Sequence, residues 1–481
     1  MNIRETGTEI TPSYSMSSAA SAASAAAWEE APSSRCVAGL LAKARSNLHF
    51  QSIWAEINGA MGDLGTYIPI VLALALARDL DLGTTLIFTG AYNIITGVIY
   101  GVPMPVQPMK SIAAVSISNP SFGIPEIMAA GICTSSVVFF LGATRLMDVV
   151  YRLIPLPIVR GIQLSQGLAF AIAAVKYVRN SQDLGKGKSL GQRPWFGLDG
   201  LVLAIAAAVF IVIVNGAGEM EEQEQEENLS AEIGRTGDGN GRKSSRKIWV
   251  TRVLFSIPSA VLVFVLGLVL AVIRKPSAAG ELKIGPSRMH VVKISRRAWR
   301  DGLVKGAVPQ LPLSLLNSVV AVCKLTGDLF GEERAASATS VAVTVGAMNL
   351  VGCWFGAMPC CHGAGGLAGQ YKFGGRTGGC VAALGAVKTT VGLLLGGSLL
   401  RLLVEFPVGL LGVLLLFAGV ELAMAARDMK SKAESFVVLV CTAVSLVGSS
   451  AALGFVCGMA VHLLLVLRKK VTMNMNCSNN I

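Results

Sequence analysis

The stretch GVPMPVQPMKS, residues 101–111, lies between two long apolar runs and puts three prolines, a glutamine and a lysine where a membrane helix belongs. Proline lacks a backbone donor and breaks the helical ladder, and a lysine near a bilayer centre is costly. A second interruption of the same kind, GAMPCCHG (356–363), follows roughly 250 residues later.

The surrounding composition makes these breaks unusual. Of 481 residues, 53% are hydrophobic and 15% charged, with 53 glycines, whereas a soluble domain carries about 25% charged residues. Stretches of about 17–25 apolar residues are long enough to cross a bilayer. About fourteen are present, near 53–77, 86–102, 104–118, 127–144, 153–175, 196–215, 248–273, 303–324, 335–352, 353–370, 379–399, 406–426, 435–450 and 451–467. The expectation is an all-α membrane protein. Its net charge of +12 reads as basic residues at membrane edges and not as a nucleic-acid footprint. Arg468, Lys469 and Lys470, with Arg427, Lys430 and Lys432, favour cytosolic placement of their segments. An even span count then puts the N-terminus inside too, although SRRAWR (295–300) falls on the outer side in that arrangement. The 10 cysteines are scattered mostly through apolar runs, so no disulfide framework is implied.

Three pairs of segments repeat in order. GAMGDLGTYIPIVLAL (59–74) resembles GAVPQLPLSLLNSVVA (306–321), GVPMPVQP (101–108) parallels GAMPCCHG, and LPIVRGIQLSQGLAFA (156–171) parallels FPVGLLGVLLLFAGVELA (406–423). Seven spans per repeat is odd, so the second half enters from the opposite side, an inverted 7+7 transporter plan. The boundaries expected are a disordered tail (1–49), spans one to six (50–215), a charged cytosolic linker (216–247), span seven (248–275), a basic connector (276–300), spans eight to fourteen (301–467) and a C-terminal tail (468–481). Asn228 begins a glycosylation acceptor that this topology leaves cytosolic. In such plans paired broken helices meet near the midplane. Helices starting near Met109 and near Gly363–Gly366 would each leave free N–H groups and about half a positive charge, together a cradle for an anion. The bland alternative is that these prolines and glycines only kink packed helices.

Four blocks carry a family resemblance: EINGAMGDLGTYIPIVLALA (56–75), PMPVQPMKSIAAVS (103–116), VPQLPLSLLNSVVAVCKLTGDLF (308–330) and GAMPCCHGAGGLAGQYKFGGRTGG (356–379). They resemble the plant and algal molybdate transporter family, a branch related to the sulfate permeases. The resemblance implies a fourteen-span fold with core and gate domains that moves a tetrahedral oxyanion. Typical sulfate permeases end in a soluble STAS domain; this chain stops about a dozen residues after its last apolar run, which fits the molybdate branch.

Several residues have both a functional and a structural reading. Lys110 either adds its charge to the helix start or snorkels to an interface. Gln107, Ser111 and Thr66 are candidate donors to oxyanion oxygens. Gln310 and Asn317, two turns apart on one face, are either ligands or interhelical glue, and Lys324 extends that face as an entrance or snorkelling charge. Gly363, Gly365 and Gly366 permit close backbone approach. Asp63 is a proton-coupling candidate, paired with a cation such as Lys110, or else a structural ion pair; Glu421 is a second coupling candidate. Arg160 and Gln163 are expected to pair with these acids, and Glu56 needs no special role. PCCH (359–362) cannot complete a four-ligand zinc shell, so His362 is placed near the substrate or as a loop anchor. GAGGLAG (363–369) lies in a membrane segment and is rejected as a dinucleotide fingerprint.

The expected function is secondary active transport of molybdate by alternating access, with proton coupling as an option. No Walker motif supports primary pumping. Alternatives are a transporter or channel for sulfate or another oxyanion, and a membrane metal-relay or redox protein built on PCCH. No enzyme activity, cofactor or metal is expected. The expected partners are molybdate, sulfate as competitor, the lipid bilayer and, as an option, a second copy in a homodimer. The plasma membrane is preferred over a vacuolar or other endomembrane.

Overall fold

The computed structural model describes residues 32–216, 258–280, 282–427, 429 and 431–478. The Ser/Ala segment, Asn228 and the charged linker lie outside the described residues, as does the start of expected span seven. Residues up to Lys43 form one unit and Ala44–Ile481 the other. Helix α1 (Pro32–Asn47) falls where the sequence suggested disordered tail.

The first long apolar run is split at Gly62 and Asp63 into α2 (Ile53–Met61) and α3 (Leu64–Arg78). Helix α4 (Leu82–Tyr100) begins at Asp81, whose carboxylate accepts from Thr84 N at 2.6 Å. It ends at Gly101, where φ is +66°, a left-handed conformation that glycine adopts without Cβ strain. The Pro-rich leader cannot continue the helix and leads into strand β1 (Val106–Pro108), after which α5 (Lys110–Ser118) starts. Then come α6 (Ile124–Ala143), α7 (Leu146–Leu153), α8 (Leu156–Arg179), a hairpin of β2 (Asn180–Asp183) and β3 (Lys188–Gln192), and α9 (Leu201–Asn215).

The second half begins with α10 (Ser259–Arg274), followed by α11 (Arg296–Phe330), which contains π-helical turns at Gly302–Ala307 and Leu316–Ala321. Helix α12 (Ala338–Gly352) leads to Gly356, again left-handed at φ +76°, then to strand β4 (Cys360–His362) and α13 (Ala364–Lys372). Helices α14 (Gly378–Leu395), α15 (Val408–Met424), α16 (Lys432–Val447) and α17 (Ala451–Ser478) complete the order. Among the described residues, eight helical segments are long and apolar enough to cross a membrane, and α9, α10 and α15 are shorter apolar helices.

Packing pairs elements from the two halves. Helix α4 lies along α14, α6 along α12, and α8 along α15, with α16 and α17 outside α8. The α4–α14 contact is nearly backbone to backbone. Gly83, Gly90 and Gly97 on one helix face Gly392, Gly385 and Gly378 on the other, at seven-residue spacing, and a Cβ at Gly90 would sit 2.7 Å from Gly385 O. Small residues at two-turn spacing let helices approach without a hydrophobic driving force from water. At the centre β1 and β4 cross antiparallel, with Val106 opposite His362, Gln107 opposite Cys361 and Pro108 opposite Cys360.

Candidate anion site at two facing helix starts

The crossing strands set the geometry of everything around them. Asn93 of α4 accepts from Val106 N at 2.7 Å. Asn349 of α12 accepts from Cys360 N at 2.7 Å and donates to Cys360 O at 2.6 Å. These two asparagines occupy matching places in GAYN (90–93) and GAMN (346–349) and satisfy strand groups that no longer ladder can serve. Met109 N donates to Pro359 O at 2.9 Å, so each strand hands its chain directly to a helix. Helices α5 and α13 therefore start beside one another, and neither carries a side-chain cap of its own.

Alternation along the strands sorts their side chains. Gln107 and Cys361 share one face. Gln107 Nε2 donates to Asp63 Oδ1 at 2.7 Å and to Thr66 Oγ1, while Cys361 Sγ lies 3.0 Å from Ser318 Oγ. His362 lies on the other face, fully buried, with Nε2 3.3 Å from Thr344 Oγ1 and its ring edge-on to Tyr100. That placement makes His362 an anchor of the crossing; it is not among the side chains around Gln107.

Asp63 has three partners around the crossing. It sits at the break between α2 and α3, accepts from Gln107 and Thr66, and forms an ion pair with Lys388 of α14 at 3.3 Å. Both side chains are at most 4% exposed, and the Lys388 ammonium also rests 3.6 Å above the Tyr67 ring. The expected cation, Lys110, is not the partner of Asp63; Lys388 is, the lone lysine of the apolar run 379–399. Lys110 instead holds Nζ 3.8 Å over the Phe170 ring of α8, and that buried nitrogen has no hydrogen-bond partner among the described residues.

The two helix starts are not equivalent. Gln310 Oε1 accepts from Ser111 N at 2.9 Å, so span eight caps α5, while Gln310 Nε2 donates to Ser314. At α13 a Cβ on Gly363 would overlap Gln107 Oε1, on Gly366 would lie 2.7 Å from Asp63 Oδ1, and on Gly365 would overlap the Phe170 ring. These glycines make room for side chains already present. Asn317 is buried in the second π turn, its Oδ1 without a partner among the described residues.

Other expected residues lie elsewhere. Arg160 does not pair with Asp63 or Glu421: it pairs with Asp328 and donates to Gln163 Oε1 at 3.0 Å, and Gln163 Nε2 donates to Ala321 O at 3.1 Å. Glu421 lies 4.0 Å from Lys372 at the far end of α13, about 12 Å along the helix axis from its start. Lys324 sits toward the end of α11 with Asp328 and Glu332. Glu56, read as needing no role, is fully buried and accepts from Arg376 N and Thr377 N at 3.1 and 3.3 Å. A carboxylate there complements the start of α14. Cys360, Cys361 and His362 turn toward different neighbours, and among the described residues no group of His, Cys, Asp or Glu is arranged to hold a metal ion.

Against known proteins, the family model described as "Molybdate transporter of MFS superfamily" matches residues 55–170 and 302–422, one block in each half. Molybdate transporter 1 of Arabidopsis thaliana is 64% identical over 441 residues, covering 91% of this chain and 94% of the relative. The chain belongs to the molybdate transporter family. Molybdate transporter 2 of the same plant is 55% identical over 86% of this chain and 88% of its own length, and Molybdate transporter 1 of Chlamydomonas reinhardtii is 37% identical over 79% and 85%. The fold of this family member is also found in the murine Solute Carrier 26 family member A9 anion transporter. That likeness has a TM-score of 0.54 at 16% identity, over 95% of this chain and 77% of that one. The transmembrane domain of the cyanobacterial bicarbonate transporter BicA matches with a TM-score of 0.50 at 14% identity, over 86% of this chain and 98% of the BicA domain. Family membership makes the chain one of a set of membrane transporters and not an enzyme.

Proposed function

We propose that this protein is a secondary transporter that moves molybdate across a membrane by alternating access. The observation that carries the reading is the crossing of β1 and β4, which sets two helix starts side by side, neither capped by its own N-cap side chain, with the Lys110 ammonium next to them. Aligned N–H groups and the helix dipoles favour an anion there. Thr66, Gln107, Ser111, Gln310 and Asn317 would complete the surroundings, and Gly363, Gly365 and Gly366 would let Gln107, Phe170 and Asp63 close around the α13 start. The names of the close relatives supply the anion. Sulfate is the natural competitor, since both are tetrahedral dianions.

The inverted 7+7 arrangement is supported by how helices pair. Advancing every span by seven turns the α4–α14 contact into the α12–α6 contact and maps α8–α15 and β1–β4 onto themselves. On this reading α8, α9 and α10 with α15, α16 and α17 form a gate, and the remaining spans form a core. Proton coupling through Asp63 would require opening its pair with Lys388; Glu421 is too far along α13 to share that proton directly. Uptake of molybdate at low concentration by a transport-deficient cell expressing the chain, with sulfate as competitor, tests the proposal. Accumulation that sulfate blocks only at large excess is expected; absence of molybdate uptake from well-expressed protein would sink it.

A further inference from the structure

Phe170 touches residues at both helix starts, Lys110 and Gly365. It comes from α8, a helix outside the crossing, and is 8% exposed. Its ring lies under the Lys110 ammonium at 3.8 Å and fills the space that a Cβ at Gly365 would need. Helix α15 holds it from behind, since a Cβ at Gly419 would sit 2.9 Å from Phe170 Cβ. Lys110 Nζ, a group with three donors, faces this ring with no acceptor among the described residues. An aromatic face attracts a cation without replacing its hydrogen bonds.

We propose that Phe170 is the residue that selects between tetrahedral dianions, by forming a dry aromatic wall on the side of the site away from the crossing strands. This inference rests on the proposed transport function. A wall with no polar atom forces a bound anion to shed water on that side, and it keeps water from the Lys110 ammonium. Sulfate is the smaller dianion with the denser charge, so stripping its water costs more than stripping molybdate. The donors available are the same for both. Selectivity follows from the difference in dehydration, as a difference of two affinities. Admitting water beside Phe170 would relieve sulfate more than molybdate.

The test is equilibrium binding of radiolabelled molybdate to purified full-length protein, with sulfate added as competitor, for the wild type, Phe170→Ala and Phe170→Leu. Phe170→Ala is expected to bind molybdate still, while the ratio of sulfate to molybdate half-saturation falls by about 10-fold or more. Phe170→Leu keeps an apolar wall but loses the aromatic face, and its ratio should fall by less. A wild-type ratio in both variants overturns the inference and leaves the site reading standing. Should Phe170→Ala not yield folded protein, an unchanged ratio in Phe170→Leu alone overturns it. A well-folded wild type that binds sulfate and not molybdate would overturn the substrate reading itself, and this inference with it.

Discussion

Lys110 and Lys388 are both lysines in apolar surroundings, and their partners give them different roles. Lys388 is neutralised by Asp63, whereas Lys110 has only an aromatic face. A charge-assisted hydrogen bond to an oxyanion is worth about 1.5–3 kcal/mol. Lys110→Ala should therefore weaken molybdate binding by about 10- to 100-fold, and Lys110→Glu more strongly, with thermal stability little changed. Normal affinity in both variants would remove Lys110 from the site. The Asp63–Lys388 pair makes the opposite prediction. Removing one partner of a buried pair costs about 3–5 kcal/mol, while replacing both is often nearly neutral. Asp63→Asn should lower the melting temperature, and adding Lys388→Gln should recover much of the loss. If Asp63 also carries the coupled proton, the recovered double variant should exchange molybdate yet no longer accumulate it when a proton gradient is applied. Gradient-driven uptake at the wild-type level in that variant would leave the pair a purely structural role.

At the scale of elements, the position of each helix start depends on an asparagine one helix away. Asn93 holds β1 and Asn349 holds β4. Leaving a buried backbone donor or acceptor unpaired costs about 1–3 kcal/mol. Asn349→Ala, which loses bonds to both N–H and C=O of Cys360, should cost more stability than Asn93→Ala. Both should reduce molybdate affinity without touching the anion, and calorimetric unfolding alongside binding would show whether the two losses travel together. The glycine seam between α4 and α14 is a stricter constraint. A side chain at Gly90 or Gly385 would meet the facing backbone, and backbone has no rotamer with which to yield. Gly385→Val is expected to abolish monodisperse protein in size-exclusion chromatography. A well-behaved Gly385→Val protein would mean the helices separate more easily than their contact suggests.

For the whole molecule, the question is which contacts must change during transport. Helix α8 meets α11 through the Arg160–Asp328 pair and the Gln163–Ala321 hydrogen bond. Both link the proposed gate to the proposed core, and neither involves Asp63, Thr66 or Gln107. Arg160→Ala should change the rate of molybdate uptake several-fold while equilibrium affinity stays within about two-fold, because the pair biases a conformational equilibrium and does not contact the anion. A matched loss of rate and affinity would place Arg160 in the site instead.

Much of the plan was legible in the chain itself. Two Pro- and Gly-rich breaks in otherwise spanning runs fix where helices must stop and start, because proline removes a donor and a left-handed glycine ends a helix wherever they occur. The helix starts at Lys110 and Ala364 follow directly from that local chemistry. So did the roster of polar residues near them: Asp63, Thr66, Gln107 and Gln310 all lie at the crossing or against a helix that leaves it. Which of them touch was a different matter. Lys388 is 325 residues from Asp63 in sequence, Asp328 is 168 from Arg160, and Phe170 reaches Gly365 from a helix 195 residues earlier in the chain. Local propensity acts over a few residues, whereas buried charges and aromatic rings take their partners from whatever the packing of distant helices brings within a few ångströms. The sequence determined where the backbone breaks; the tertiary structure decided that Gln310 caps one helix start, that glycines at the other admit Gln107 and Phe170, and that His362 turns away.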